Sequence, residues 1–219
     1  MPHPVTVVLP CLDEAEALPA VLAAIAAQPG LRPLVVDNGS TDGTPEVAEQ
    51  AGATVVREPR PGYGAAVHTG LEQADGDIVC VVDADGSIAA ADLPALVEPV
   101  RDGRAELAVG RRVPTDRTAF PWHARAGNVV LAWRLRRLGV PVHDLGPVRV
   151  ARRADLLALG ITDRAFGYPL ELLLRAGRAG WRIEEIPMDY RPRTAGRSKV
   201  TGSVRGTMRA VRDMWGVLR

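Results

Sequence analysis

Aromatic side chains are scarce in this chain, at 4% of 219 residues. A core must therefore be built mainly from Val, Leu, Ile and Ala. Only two cysteines occur, Cys11 and Cys80, both in or beside apolar strand-like runs. That removes any disulfide framework or cysteine-based zinc site and fits two small buried hydrophobes. No apolar run is long enough to span a bilayer. No signal peptide is visible before the first strand, so the expected location is cytoplasmic, with peripheral attachment to the inner face of the membrane as the alternative. Net charge is only +1, which argues against bulk capture of nucleic acid. Also missing are a Gly-x-x-x-x-Gly-Lys-Ser/Thr loop and a Gly-x-Gly-x-x-Gly after the first strand, so ATPase and dehydrogenase readings lose their usual support.

What is present is 47% hydrophobic and 24% charged, enough for one substantial core. Strand and helix patterns alternate over the first half. Strands are expected at 5–10, 34–36, 53–56, 78–82 and 107–110, and helices at 15–27, 44–51, 64–74 and 92–100. Thr44 is the expected N-cap of the second helix, with Pro45 at its first position. Alternation of this kind predicts an α/β fold: a mainly parallel sheet with helices on both faces. Residues 111–120 read as a basic loop and 122–138 as a helix whose Val129, Val130, Trp133 and Leu138 interleave with Arg. After a loop at 142–147 come a strand (148–151), two helices (155–159, 169–179) and an alternating segment, 181–188, that reads as an exposed antiparallel strand.

The sharpest local signal is Ile78-Val79-Cys80-Val81-Val82-Asp83-Ala84-Asp85-Gly86. An uninterrupted apolar run suits a strand buried on both faces. The carboxylates of Asp83 and Asp85 then fall where the strand leaves the sheet, the end at which open α/β sheets bind ligands. Two hard oxygen donors there suit a divalent cation that takes further oxygens from a phosphate. The plainer alternative is that they cap the next turn. Three further polar clusters end or border strands: residues 10–14, residues 37–42, and Arg111-Arg112. A rim of carboxylates suits a nucleoside, and arginines beside it suit a diphosphate.

The C-terminal third concentrates basic residues, among them Arg191, Arg193, Arg197, Lys199, Arg205, Arg209 and Arg212. Val200, Val204, Met208, Val211, Trp215 and Leu218 share one helical face. The final segment, 200–219, is therefore expected as a basic amphipathic helix, either packed on a domain spanning 1–199 or resting on an anionic membrane.

Taken in order, Val8-Leu9-Pro10-Cys11-Leu12-Asp13-Glu14, Val35-Val36-Asp37-Asn38-Gly39-Ser40-Thr41-Asp42-Gly43-Thr44, Gly62-Tyr63-Gly64-Ala65-Ala66 and Val82-Asp83-Ala84-Asp85 resemble the successive signatures of family 2 glycosyltransferases. Asp144-Leu145-Gly146-Pro147-Val148-Arg149 and the basic run 190–199 resemble the dolichyl-phosphate mannosyltransferase branch. The resemblance implies a GT-A fold and inverting transfer from a GDP- or UDP-linked sugar. By the same analogy Pro10, Leu12, Glu14, Val36 and Asp37 would line the nucleoside pocket, continued by Asp83 and Ala84. Asp85, with Asp83, would hold Mg²⁺ or Mn²⁺, while Arg112, Arg193, Ser198 and Lys199 would close on the phosphates. Asp85, Arg112, Asp144 and Lys199 would act directly in the reaction.

The implied acceptor is a polyprenyl phosphate, already ionised at neutral pH. A small hydroxyl acceptor would instead require a base, for which His143 and Asp144 are the candidates. Departures from the family pattern bear on donor and acceptor choice: Leu12 stands where Tyr is common, Asn38 replaces a second acid, and Ser87 stands where the lipid-phosphate branch often has Gln. A sugar-nucleotide pyrophosphorylase would need a Gly-rich basic loop where Cys11-Leu12-Asp13-Glu14 stands. A non-catalytic nucleotide-sugar sensor is the remaining rival.

Overall fold

A computed structural model describes residues 4–116, 118–195, 212–214 and 216–217. Its seven strands are β1 (Val5–Cys11), β2 (Leu31–Asp37), β3 (Thr54–Arg57), β4 (Ile78–Val82), β5 (Leu107–Pro114), β6 (Val148–Arg152) and β7 (Ile183–Tyr190). They form one sheet in the order β3-β2-β1-β4-β6-β5-β7. Among the described residues the α-helices include α1 (Leu18–Ala26), α2 (Thr44–Gln50), α3 (Tyr63–Gln73), α4 (Leu93–Arg101), α5 (Trp122–Arg137), α6 (Arg153–Ala158) and α7 (Tyr168–Arg178).

Every residue of β4 is buried, as an apolar run between two helical layers requires. On one face Leu18, Leu22, Leu93, Leu96 and Val97 from α1 and α4 meet Val7, Leu9 and Cys80. On the other, Ala66, Val67 and Leu71 of α3 and Leu170 and Leu173 of α7 meet Val8, Val36, Val79 and Val81. The expected two-sided α/β architecture is therefore present. Met214 and Val217, in the C-terminal segment, pack against this second cluster.

Several boundaries and one strand direction differ from expectation. Helix α1 starts at Leu18, three residues late, because the amides of Ala17 and Leu18 both turn back to the Glu14 carbonyl. Strand β2 starts before Pro33, which is tolerated because β3 pairs only from Leu34 onward. Thr44 lies inside α2, with Gly43 (φ 85°) at the cap position. The Thr44 hydroxyl instead accepts from the Glu14 amide (2.9 Å) and bonds to Asp42. Strand β5 continues through Arg111 and Arg112 rather than ending at Gly110, because β7 pairs with it as far as Tyr190. Finally, β7 is parallel to β5, not antiparallel. Its alternating pattern correctly marks a half-exposed edge strand, but alternation carries no information about direction.

Strand β6 runs antiparallel to both β4 and β5. Its entry at residues 144–147 thus lies at the same rim as the exits of β1, β2, β4 and β5. That rim is closed at one side by a tight backbone contact: the amides of Gly64 and Ala65 at the start of α3 donate to the carbonyls of Ala165 and Arg164. Gly62 has φ +149°, and a Cβ there would lie 2.1 Å from the Arg164 carbonyl oxygen. Gly62→Ala is therefore expected to lower unfolding free energy by about 2 kcal/mol or more, from strain plus displacement of this contact. Urea denaturation measures it; a midpoint equal to the parent's would contradict the contact.

Candidate active site

A cavity of about 710 Å³ opens at this rim. Its lining includes Pro10, Leu12, Glu14, Tyr63, Asp83 and Ala84, and also Phe120, Ala124, Leu131, Pro147, Phe166 and Met214. Arg112, Arg149 and Arg193 also line it. Carboxylates, guanidiniums and a larger set of apolar side chains therefore line one space.

Of the acidic pair, Asp83 lines the cavity, whereas Asp85 is not among the lining residues and is reached through Arg193. Asp85 is 1% exposed, and its Oδ1 accepts the Ser87 amide at 2.9 Å. Its Oδ2 makes no aligned hydrogen bond, although Arg193 Nε lies 3.0 Å away. Arg193 Nη1 reaches Glu14 Oε1 at 3.2 Å, so one guanidinium spans two carboxylates. It is held there by its own segment: Arg191 N donates to Ser87 O, and Thr194 N and Oγ1 donate to Asp85 O. Burial, then the neighbouring Asp85 charge, pushes the Asp83 carboxyl up to about 6, against the opposing pull of Arg149, Arg193 and Arg112. Among the described residues, no group of three or more His, Cys, Asp or Glu side chains could hold a metal ion. The donor set is two carboxylates with one buried oxygen lacking an aligned partner. That fits a hard divalent ion which draws its other ligands from phosphate and water, and does not fit a closed structural site.

Arg112 is clamped from several sides. Its Nε and backbone amide donate to Asp144 Oδ2 at 2.9 and 2.8 Å, and Nη2 donates to Asp144 Oδ1. Nη2 also reaches Asn128 Oδ1 at 3.3 Å, and the guanidinium stands 4.2 Å from the centre of the Phe120 ring. Asp144 is 2% exposed and accepts the Gly146 amide as well. Burial alone would raise its carboxyl; the Arg112 hydrogen bonds and charge outweigh burial and hold it below the usual range.

A model of glycosyl transferase family 2 matches residues 6–156. This chain belongs to glycosyl transferase family 2. An uncharacterised glycosyltransferase of Mycobacterium tuberculosis is 59% identical, over 98% of this chain and 97% of the relative. A dolichyl-phosphate hexose transferase of Haloferax volcanii is 34% identical, over 89% of this chain and 85% of the relative. Among solved structures, glucosyl-3-phosphoglycerate synthase of M. tuberculosis, crystallised with Mn²⁺, uridine diphosphate and glucosyl-3-phosphoglycerate, superposes with a TM-score of 0.79. It shares 26% identity, over 99% of this chain and 78% of that one. The GT-A fold is thus that of a nucleotide-sugar transferase.

In this family 2 glycosyltransferase the cavity brings together Pro10, Leu12, Glu14, Asp83, Ala84, Arg112 and Arg193, with Asp85 immediately beneath Arg193. Val36 is fully buried in the core, packed near Val8 beneath Gly70, so its side chain does not line the cavity. Asp37 folds back on the amides of Gly39 and Ser40 (3.3 and 3.1 Å), which shapes the β2 exit. His143 pairs with Glu185 (Nδ1 to Oε2, 2.9 Å) and is not among the lining residues. Ser198 and Lys199 lie outside the described residues.

Three residues to which the sequence alone assigns no role also shape this rim. Arg149 is 5% exposed in β6 and donates to the carbonyls of Leu145 and Gly146; the available signal was one charge inside an apolar strand. Asn38 donates to the carbonyls of Glu58 and Arg60 while accepting the Gly62 amide at 2.7 Å. A second acid at that position has no protons to offer the two carbonyls, so an amide suits it better. Phe120 supplies the face on which Arg112 rests.

The Arg112–Asp144 pair yields a pH-resolved prediction. Asp144 titrates lower folded than unfolded, so its contribution is complete above the unfolded carboxylate value and is lost as pH falls through the folded one. Asp144→Ala should cost about 3 kcal/mol at neutral pH, because Arg112 is left largely buried without its counter-ion. The difference from the parent should shrink at about pH 3. Denaturant unfolding at both values checks it; a pH-independent difference would contradict the pairing.

Proposed function

We propose that this glycosyltransferase moves a sugar, with inversion, from a GDP- or UDP-linked donor to a polyprenyl phosphate, with Mg²⁺ or Mn²⁺ on the diphosphate. The observation that carries the acceptor choice is that the cavity lined by Glu14 and Asp83 is also lined by Phe120, Ala124, Leu131, Pro147, Phe166 and Met214. A small polar acceptor has no use for such a lining, whereas an isoprenoid chain buries against it.

The nucleoside lies along Pro10, Leu12, Glu14 and Ala84 in this reading. Asp85, with Asp83 beside it, would hold the divalent ion, which when bound supplies positive charge to the leaving diphosphate. Arg193 and Arg149 add to that charge from the chain itself. Preorganised cations matter most where water is excluded and where charge develops as the glycosidic bond breaks. Arg112 is fixed by Asp144, Asn128 and Phe120 before any ligand arrives, so little ordering remains to be done when a phosphate meets it. Asp144 is then a positioning residue rather than a base. His143 is engaged by Glu185, so neither residue offered by the sequence as a base is free for that task. An acceptor phosphate, ionised already, does not need one. Ser198 and Lys199 are retained as candidates to close on the phosphates, by resemblance to the family branch.

A small hydroxyl acceptor is the second reading, favoured by the glucosyl-3-phosphoglycerate synthase likeness. Release of nucleoside diphosphate, followed with a short-chain polyprenyl phosphate, the matching polyprenol and 3-phosphoglycerate, separates the two. Turnover with the lipid phosphate alone is expected. Turnover with 3-phosphoglycerate and none with lipid phosphate would overturn the lipid reading, and donor binding without release by any acceptor would favour a sensor.

A further inference from the structure

Helix α5 is apolar on two opposite faces. Ala124, Asn128, Leu131 and Leu135 recur at helical spacing and face the protein: Leu135 is buried, and the other three are partly buried and line the cavity. Trp122, Ala126, Val129 and Trp133 recur at the same spacing on the opposite side, and all four are exposed, Trp122 at 80% and Trp133 at 47%. Val130 borders the stripe, and Leu138 is exposed just beyond the helix. Of the six large hydrophobic residues that are exposed among the described residues, five belong to this one stretch and the sixth is Val113 of β5. Scattered exposed hydrophobes need no explanation, but a stripe along one side of a helix from Trp122 to Trp133 does.

The charges around the stripe identify the surface that covers it. Helix α5 contains Arg125, Arg134, Arg136 and Arg137 and no acidic residue. Arg137 lies over the Trp133 ring, 4.9 Å from its centre. Two indoles and a row of valines bordered by guanidiniums match the boundary between acyl chains and anionic headgroups. A second copy of the chain matches poorly, since a two-fold contact across α5 would set arginine rims against each other.

We infer that the outer stripe of α5 seats this protein on an anionic lipid surface. The inner side of the same helix lines the cavity through Ala124, Gly127, Asn128 and Leu131. A bilayer held at Trp122 and Trp133 therefore lies one helix diameter from the apolar lining. The inference extends the lipid-acceptor reading, but its evidence is the exposed stripe and stands apart from any turnover.

Flotation with vesicles of phosphatidylcholine, and of phosphatidylcholine mixed with phosphatidylglycerol, tests it on the full chain without any polyprenyl phosphate. The parent should float with the anionic vesicles and lose most of that binding in high salt. Trp122→Ser/Trp133→Ser should bind about ten-fold or more weakly, because the apolar area that enters the interface is removed. Both side chains are outside the cavity, so the melting temperature and nucleotide-induced stabilisation should not change. Equal flotation of parent and variant, or none by the parent, overturns the inference. So does a dimer, seen by light scattering, that the double variant dissociates, since the stripe would then be a contact between copies. Flotation as expected without lipid-phosphate turnover would sink the acceptor reading and leave this surface standing.

Discussion

Charge balance at the end of β4 is the constraint on which the rest of the rim depends. Two carboxylates with one residue between them leave a strand that is buried along its whole length, and burial together with the neighbouring Asp85 charge opposes the ionisation of Asp83. Three guanidiniums from distant parts of the chain converge on them: Arg112 from β5, Arg149 from β6 and Arg193 from the segment after β7. Each is itself tied down. Arg112 is held by Asp144, Arg149 by the carbonyls of the loop entering β6, and Arg193 by Glu14 and by the Thr194 bonds to the Asp85 carbonyl. A buried carboxylate left without such partners would lose its charge rather than keep it.

Topology explains why these groups meet. Strands β1, β2, β4 and β5 are parallel and deliver their polar exits to one side, while β6 runs against β4 and delivers its entry there. Without that reversal, Asp144 and Gly146 would lie at the opposite end of the sheet, and Arg112 would have no carboxylate to fix it. The connecting loops are then fastened by short polar side chains rather than by packing. Asp42 joins the first two exits through Thr44 and the Ala15 amide, and Asn38 fastens residues 58–62 to the second exit.

Much of this was legible in the sequence because the relevant signals are local. Alternating strand and helix patterns gave the layered sheet, and the apolar run ending in Asp83 and Asp85 gave its central strand, whose exit lies at the rim where the cavity opens. Signals that depend on partners across the molecule were not legible. The direction of β7 depends on which strand it pairs with. Thr44 has the residue type of a cap, yet its hydroxyl is taken by the neighbouring loop, 30 positions away in the chain. Val36 adjoins a binding motif, but strand alternation turns its side chain into the core. The arginines interleaved with Val129, Val130 and Trp133 look like the polar face of an ordinary surface helix, and only the packed domain reveals that those apolar residues face outward.

The central claim, a divalent ion held by the acidic pair to receive a nucleoside diphosphate, is tested most directly by thermal shift. Melting temperature would be followed with UDP and with GDP, each with and without Mn²⁺, in the parent and in Asp85→Asn. A ligand that binds only the folded state raises the melting temperature. The account predicts a rise for one nucleotide that requires Mn²⁺ and disappears in the variant. A rise of equal size without the metal, or one that survives in Asp85→Asn, would contradict it.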